Sequence, residues 1–441
     1  MEIDVRLGVG RPLLSAFRHR VLTGAWILLG VHVFVCAQPP EGPAGIFVIG
    51  DTRPVAGEVA KFDFDFVSGY TLRVSWGDIE SWNTTTQTPQ YDFSRVDSTL
   101  EDLRARGKRM TLEIFVNKVP DYILSLPGVV TWNNPNPNQG GVQVVPWDAT
   151  ALAAYRAMMQ HLADHLVAGT SWRVADHPSL QSVDAPIVGL QGLRELSNTL
   201  VHHPDYTRER FIQSVVDAVS ASRQAFVQKY GFLALFAMTD ATASPALDAT
   251  VYARLMTEFN VSGKPSLGFF QETLCDTGPR PDALGQLLAT AAPNTYLLFQ
   301  ALRPWALPEG STRPPEIASG TPVAGIEFGW ANYGASYVEL YGADILATEN
   351  AAGLRAWNHY LNAVAAVRGG RDALTLDLQS DGGLRLRWNA DSLLRYRLWE
   401  STDLANWSLL DTAEPIDGDV PLPPSTETRR FFRTEILAPV R

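Results

Sequence analysis

Cysteine is almost missing from this chain: Cys36 and Cys275 are the only two in 441 residues. So low a number excludes a disulfide framework and a multi-thiolate zinc site. Basic charge is in deficit too, with 36 Lys and Arg against 47 Asp and Glu and a formal net charge of -11. A nucleic-acid binder needs a basic face to release counterions from phosphates, so no nucleic-acid partner is expected. There is no HExxH, no P-loop and no cysteine pair, and therefore no metal and no cofactor is expected. Hydrophobic residues at 46% and charged residues at 19% leave no room for wholesale disorder or a fibrous repeat. The apolar run at 21–36 is shorter than the roughly 20 residues that a membrane-spanning helix needs, with an uncleaved anchor as its alternative reading, and no other stretch is long and apolar enough.

The longest apolar run, residues 21–36, has the anatomy of an export signal. Arg18, His19 and Arg20 precede it, and Val35-Cys36-Ala37 supplies the small residues of a cleavage site. We expect cleavage after Ala37, so residues 1–37 are read as a signal peptide and the protein as secreted, periplasmic or held at a bacterial cell surface. Cleavage removes Cys36 and leaves Cys275 alone, which rules out an intramolecular disulfide; Cys275 reads as a small buried apolar residue. Aromatic residues are plentiful, with 12 Trp, 13 Tyr and 19 Phe. On an acidic chain they suit both core packing and a surface that handles sugars.

From residue 44 onward, short apolar runs alternate with helical patterns. Strands are expected at 45–50, 70–76, 109–116, 185–193, 232–238, 266–271, 322–328 and 336–341. Helices are expected at 93–106, 150–167, 206–230, 246–259, from 281, and at 351–367, with Gly107 stopping the first. The stretch 295–302 (TYLLFQAL) is ambiguous, and as a strand it would shift the last units by one. Apolar strands separated by helices imply parallel pairing through βαβ crossovers. Eight such units close into a (β/α)8 barrel over residues 38–368. An open doubly wound sheet is the alternative, but no glycine-rich phosphate loop follows the first strand. After Gly369-Gly370 the pattern turns to apolar–polar alternation at 374–378, 384–388, 396–400 and 430–436. Residues 369–441 thus read as a small antiparallel, β-sandwich-like domain.

In a barrel of this kind chemistry sits at the C-terminal ends of the strands. Those ends collect Arg73, Trp76, Asp78, Glu80, Glu113, Asn117, Lys118, Arg194, Glu195, Asp240, Gln271, Glu272, Glu327, Trp330, Asn332, Glu339 and Tyr341. His202-His203 precede Pro204 in a loop and read as an exposed pair rather than as metal ligands.

Residues 70–123 (YTLRVSWGDIESWNTTTQTPQYDFSRVDSTLEDLRARGKRMTLEIFVNKVPDYI) resemble a strand–helix–strand unit of the clan A glycoside hydrolases. These are (β/α)8 enzymes that include β-galactosidases and endoglycanases. An Arg-bearing strand ends in Trp, YDFS opens the helix, and the next strand leads to a proline loop. Residues 145–166 resemble the helix before that clan's acid/base strand. The C-terminal segment resembles β modules appended to secreted bacterial proteins. The resemblance implies an acid/base glutamate at the end of strand four and a nucleophilic glutamate at the end of strand seven, which fall on Glu195 (GLRELS) and Glu327 (GIEFGW). Arg194 stands where the clan usually has Asn, leaving open a different sugar contact or a lost activity. Glycoside cleavage needs one carboxylic acid to protonate the leaving oxygen and one carboxylate to attack the anomeric carbon. Substrate contacts are expected from Arg73, Trp76, Asn117, Asp240, Glu272, Trp330 and Tyr341, with Glu272 the rival for catalysis. The expectation is a retaining glycosidase acting on a β-linked oligo- or polysaccharide. A silent carbohydrate-binding barrel is the alternative, and an adhesion or scaffold protein a third reading. Oligomeric state is not legible.

Overall fold

The computed structural model describes residues 3–6, 30–32, 42–49, 61, 63–135, 141–190, 198–234, 240, 246–260, 266–275, 283–301, 303–305, 320–368, 375–378, 384–388, 394–403, 406–411, 419–422 and 429–439. The chain divides into two units: Pro39–Ala365, and a second formed by Met1–Gln38 with Ala366–Arg441.

The first unit is a closed barrel of eight parallel strands. In chain order they are β1 (Gly45–Ile49), β2 (Gly69–Ser75), β3 (Arg109–Phe115), β4 (Leu180–Asp184), β5 (Tyr230–Ala234), β6 (Leu267–Leu274), β7 (Leu297–Ala301) and β8 (Tyr337–Tyr341). Seven longer helices follow in turn from β2: α1 (Ser94–Ala105), α2 (Ala149–Asp164), α3 (Arg208–Ala225), α4 (Leu247–Phe259), α5 (Ala283–Ala291), α6 (Pro322–Tyr333) and α7 (Ala351–Arg368). The barrel closes where Tyr337–Tyr341 of β8 pair with Gly45–Ile49 of β1. Burial on both faces explains why β1 is an unbroken apolar run: all five of its residues are buried.

The helices begin and end where local chemistry dictates. The Asp148 carboxylate accepts from Ala151 N at 2.8 Å to cap α2, and its other oxygen accepts from Val130 N at 2.8 Å. Thr207 caps α3 by accepting from Arg210 N at 3.2 Å. Beyond α1, Gly107 takes the left-handed conformation, φ +65°.

Two expectations from sequence are corrected. Strand four is Leu180–Asp184, not 185–193. Pro186 has no N–H to give a ladder, so the apolar residues that follow pack as a buried turn. In that turn Leu190 N donates to Ile187 O at 3.0 Å and Gly189 N to Val116 O at 3.2 Å. Residues 322–328 are not a strand either; they lie in α6, and the seventh strand is Leu297–Ala301 within the ambiguous segment. Thr321 caps α6 by accepting from Ala324 N at 3.2 Å, Pro322 occupies its first turn, and Gly334 closes it at φ +61°. Its buried residues, Pro322, Ile326, Gly329 and Tyr333, recur at helical spacing.

The second unit holds two antiparallel sheets. One is β9 (Thr375–Leu378), β10 (Leu384–Arg387) and β13 (Asp419–Leu422); the other contains β11 (Arg395–Ser401), β12 (Ser408–Asp411) and β14 (Arg429–Leu437). Leu386, Trp388, Tyr396, Leu398, Val420, Leu422 and Phe432 form their common core. Ile3–Arg6 pairs with β14, and Gly30–His32 pairs with Ile3–Arg6, so both extend the second sheet at one edge. Apart from Gly30–His32, the expected signal core at 21–36 lies outside the described residues. Among the described residues no helix is long and apolar enough to cross a membrane.

Candidate active site

The barrel interior changes character from one end to the other. Near the N-terminal ends of the strands, Phe47, Phe232, Phe270, Leu298 and Tyr337 share an apolar cluster. Above it lies a belt of hydroxyls. Thr71 and Thr111 stand 3.1 and 2.8 Å from the Tyr337 hydroxyl, and Thr111 lies 2.8 Å from Ser182. Towards the C-terminal ends the interior becomes charged. Arg73 Nε donates to Glu113 Oε2 at 2.6 Å, and its Nη2 donates to Gln300 Oε1 at 2.6 Å. Gln300 Nε2 in turn donates to the Tyr341 hydroxyl at 3.4 Å. Glu339 Oε1 accepts from Thr71 and from the Tyr337 hydroxyl, each at 2.6 Å, and its Oε2 lies 3.9 Å from Arg73 Nη2.

The pleat brings these side chains together. Leu72 pairs with Leu112, Arg73 with Glu113, and Gln300 with Glu339 in register. On β6, Phe269 meets Tyr252 of α4 on the outside at 5.2 Å between ring centroids, while Phe270 belongs to the interior cluster. Gln271 pairs with Phe299, and the ladder then slips by one residue before Leu274 pairs with Ala301, so Glu272 stands at that irregularity near the end of β6. Glu272 is 5% exposed.

Glu339 has no accessible surface, and its Oε2 finds no hydrogen-bond partner among the described residues. Burial first, then the nearby Glu113, raise its pKa to about 8, with Arg73 and the two hydroxyl donors pulling the other way. Its proton is therefore retained at neutral pH. Arg73 has its own pKa raised: Glu113 and Glu339 outweigh the desolvation of its buried guanidinium.

The expected site residues separate into those the fold gathers and those it does not. Arg73 and Tyr341 belong to the charged layer or adjoin it, and Glu272 is buried near the end of β6, where the ladder to β7 is irregular. Asn117 stands half-buried just past β3. Asp240, beyond β5, accepts from the Tyr206 hydroxyl at 3.1 Å and lies 3.2 Å from Arg208 Nε. Glu195 and Arg194 lie outside the described residues.

Glu327 is on α6, five residues into the helix rather than at a strand end. At 1.5 Å of rise per residue it sits about 7 Å along α6 from the helix start at the barrel mouth, on the outer layer. Trp330, farther along α6, packs edge-on against Tyr360 of α7 at 5.0 Å and is an interhelix contact. Trp76 is fully buried, edge-on to Tyr155 at 5.8 Å, with its indole N–H donated to Glu80 Oε2 at 2.6 Å; it packs and caps rather than presenting a face. The sequence reading left Gln300 unnamed, and it named Glu113 and Glu339 only among the polar residues at the strand ends. Reading 295–302 as a strand, with alternate residues inward, would have found Gln300.

Among the described residues no group of three His, Cys, Asp or Glu side chains converges to hold a metal. No family model matches the chain, and no curated protein matches it. In fold it is similar to (β/α)8 glycoside hydrolases among the solved structures. One is an endo-1,4-β-mannanase from Rhizomucor miehei: 7% identity, 75% of this chain and 97% of that chain covered, TM-score 0.44. Another is a β-galactosidase from Rahnella sp. R3: 11% identity, 75% and 58% covered, TM-score 0.44. A D-psicose 3-epimerase also matches, at 12% identity, 74% and 99% covered, TM-score 0.36. Likeness at these levels concerns the barrel alone and carries no argument about activity.

Proposed function

We propose that this chain is a secreted glycoside hydrolase that cleaves a β-linked oligo- or polysaccharide at the C-terminal mouth of its barrel. The observation that carries the reading is the polar layer formed by Arg73, Glu113, Gln300 and Glu339, with Tyr341 beside it. A scaffold barrel fills its interior with branched apolar side chains in every layer. Here the apolar filling stops at the Phe47–Tyr337 layer, and ionisable groups occupy the end where substrates enter.

Glu272 takes the part that the sequence reading assigned to Glu327, because it is a buried carboxylate near the end of a barrel strand. Glu195, eleven residues beyond β4, remains its partner. In a retaining cycle Glu195 protonates the glycosidic oxygen as the bond to the anomeric carbon breaks, and the Glu272 carboxylate closes on that carbon. The Glu195 carboxylate then takes a proton from water, which displaces Glu272 and frees the sugar. Arg73 and Gln300 hold the sugar hydroxyls, and Glu339, keeping its proton, adds a donor to the layer.

The test is a panel of aryl β-glycosides and β-linked polysaccharides, with Glu272→Gln beside the parent. We expect hydrolysis by the parent and a loss of at least about a hundredfold in the variant at unchanged melting temperature. Product anomers read by NMR should show retention. Wild-type rates in Glu272→Gln would remove Glu272 from the site. A second reading, a carbohydrate-binding barrel without turnover, is favoured by Gln300: a neutral amide faces inward on β7, where a nucleophilic carboxylate is expected. Saccharide binding with no hydrolysis across the panel would establish that reading instead.

A further inference from the structure

The loops after β2 and β3 enclose a cavity of about 400 Å³ that the mechanism above does not use. Its walls include Glu80, Trp82, Lys118, Asp121 and Tyr122. A size of this order is in the range of small-ligand pockets. Two features of it bear on what it could hold.

The first is Glu80. It is 3% exposed, and among the described residues no Lys or Arg stands within ion-pair distance of it. Its two oxygens accept one donor each, from the Trp76 indole and from the Tyr122 hydroxyl. Burial raises its pKa despite both donors. A carboxylate has about four lone-pair sites, and these two donors use two of them. Burying a carboxyl group with part of its capacity unused is costly unless something else donates to it. The second feature is the aromatic pair. Trp82 and Tyr122 stack at 4.8 Å between centroids and 30° between planes, and both stay half-exposed. Trp82 is carried on a hairpin formed by Glu80–Asn83 and Thr88–Tyr91, in register with Pro89. Stacked on each other, the two rings cover one face apiece, so the pair offers a single outer ring face and not a box.

We propose that this cavity is a binding site for one pyranose unit of a neutral saccharide, with the outer face of the Trp82–Tyr122 stack under the sugar's C–H face and Glu80 accepting from its hydroxyls. The alternative occupant of an aromatic and acidic pocket is an organic cation, which prefers rings facing it from several sides. The stacked pair offers no such cage, and the Lys118 amine paired with Asp78 stands at the same wall. A neutral polyol matches both the flat apolar face and the spare acceptors. The site deepens the reading above and rests on it only for the class of ligand.

The experiment uses the full chain carrying Glu272→Gln, so that binding is read without turnover. Trisaccharides of β-1,4-linked glucose, mannose, xylose and galactose are titrated by calorimetry and by saturation-transfer NMR, with choline chloride as the cationic probe. We expect one of the saccharides to bind, and Trp82→Ala to weaken it at least about tenfold while circular dichroism stays unchanged. Tyr122→Phe keeps the stack and should lose less, whereas Glu80→Gln should lose affinity without losing the platform. Equal affinity in Trp82→Ala and its parent overturns the proposal, as does binding of choline with no saccharide bound. A parent that hydrolyses nothing yet binds sugar through Trp82 defeats the proposed hydrolase and leaves this site standing.

Discussion

Glu339 is a carboxyl whose ionisation the fold alters, and stability should report it. Unfolded, the carboxyl titrates near 4.5; buried beside Glu113, it holds its proton to about 8. A group with a raised folded pKa contributes fully below its unfolded value and loses that contribution as pH climbs through the folded one. Unfolding followed in urea should therefore show stability falling between about pH 4.5 and 8, by up to about 1.4 kcal/mol per pH unit for this one group. Glu339→Gln, which keeps the shape and removes the titration, should flatten that slope. An unchanged slope in the variant would mean that Glu339 does not hold its proton in the native state. At the same scale, Glu113 and Gln300 explain why Arg73 can point into a barrel at all: each supplies an acceptor at 2.6 Å. Arg73→Lys cannot reach both from one ammonium in that geometry, so we expect a clear loss of activity on any glycoside the parent cleaves, measured as kcat/KM.

Among the elements, the turn after β4 and the helix α6 are the two places where apolar sequence misleads. Gly189 sits at φ +75°, and a Cβ there would come 2.1 Å from the Val144 carbonyl oxygen. Both the left-handed backbone and the clash with main chain oppose a side chain, so Gly189→Ala should lower stability by about 2 kcal/mol or more. Thermal unfolding of the variant checks this directly. The α6 cap is gentler: Thr321→Ala removes the oxygen that accepts from Ala324 N and should cost about 1 kcal/mol. If residues 320–324 were extended rather than helical, that substitution would be neutral.

For the whole molecule, the prediction concerns export. The strands Ile3–Arg6 and Gly30–His32 form the outer edge of the second sheet beyond β14. Cleavage after Ala37 would take both away and leave β11, β12 and β14 with their core. Amino-terminal sequencing of protein recovered from the culture medium or periplasm should therefore start at or near Gln38. Recovery there of chains that retain Met1 would show that these edge strands stay in the exported protein and that no signal is removed.

How much was legible in advance follows from the range over which each signal acts. Six of the eight barrel strands, the helices between them and the antiparallel pattern after residue 374 came from local periodicity, because strands buried on both faces and amphipathic helices carry their signature in consecutive residues. The parallel closed barrel followed from the alternation. Arg73, Glu272 and Tyr341 could be placed at the mouth because a strand's end is a local property. The ends of strands four and seven were different. In 185–193 an apolar run packs as a turn, because Pro186 withholds a ladder donor while Ile187, Val188 and Leu190 are buried all the same. In 322–328 the Thr-Pro start and the Gly334 stop were stronger evidence than hydrophobicity, and they moved Glu327 from the mouth to the outer layer. The amino-acid sequence alone determined the layers, the strand count and the acidic, aromatic character of one rim. Only the tertiary structure decided which carboxylates share a layer, since Arg73, Glu113, Gln300 and Glu339 come from four strands up to 266 positions apart and meet through barrel closure, which no local pattern encodes.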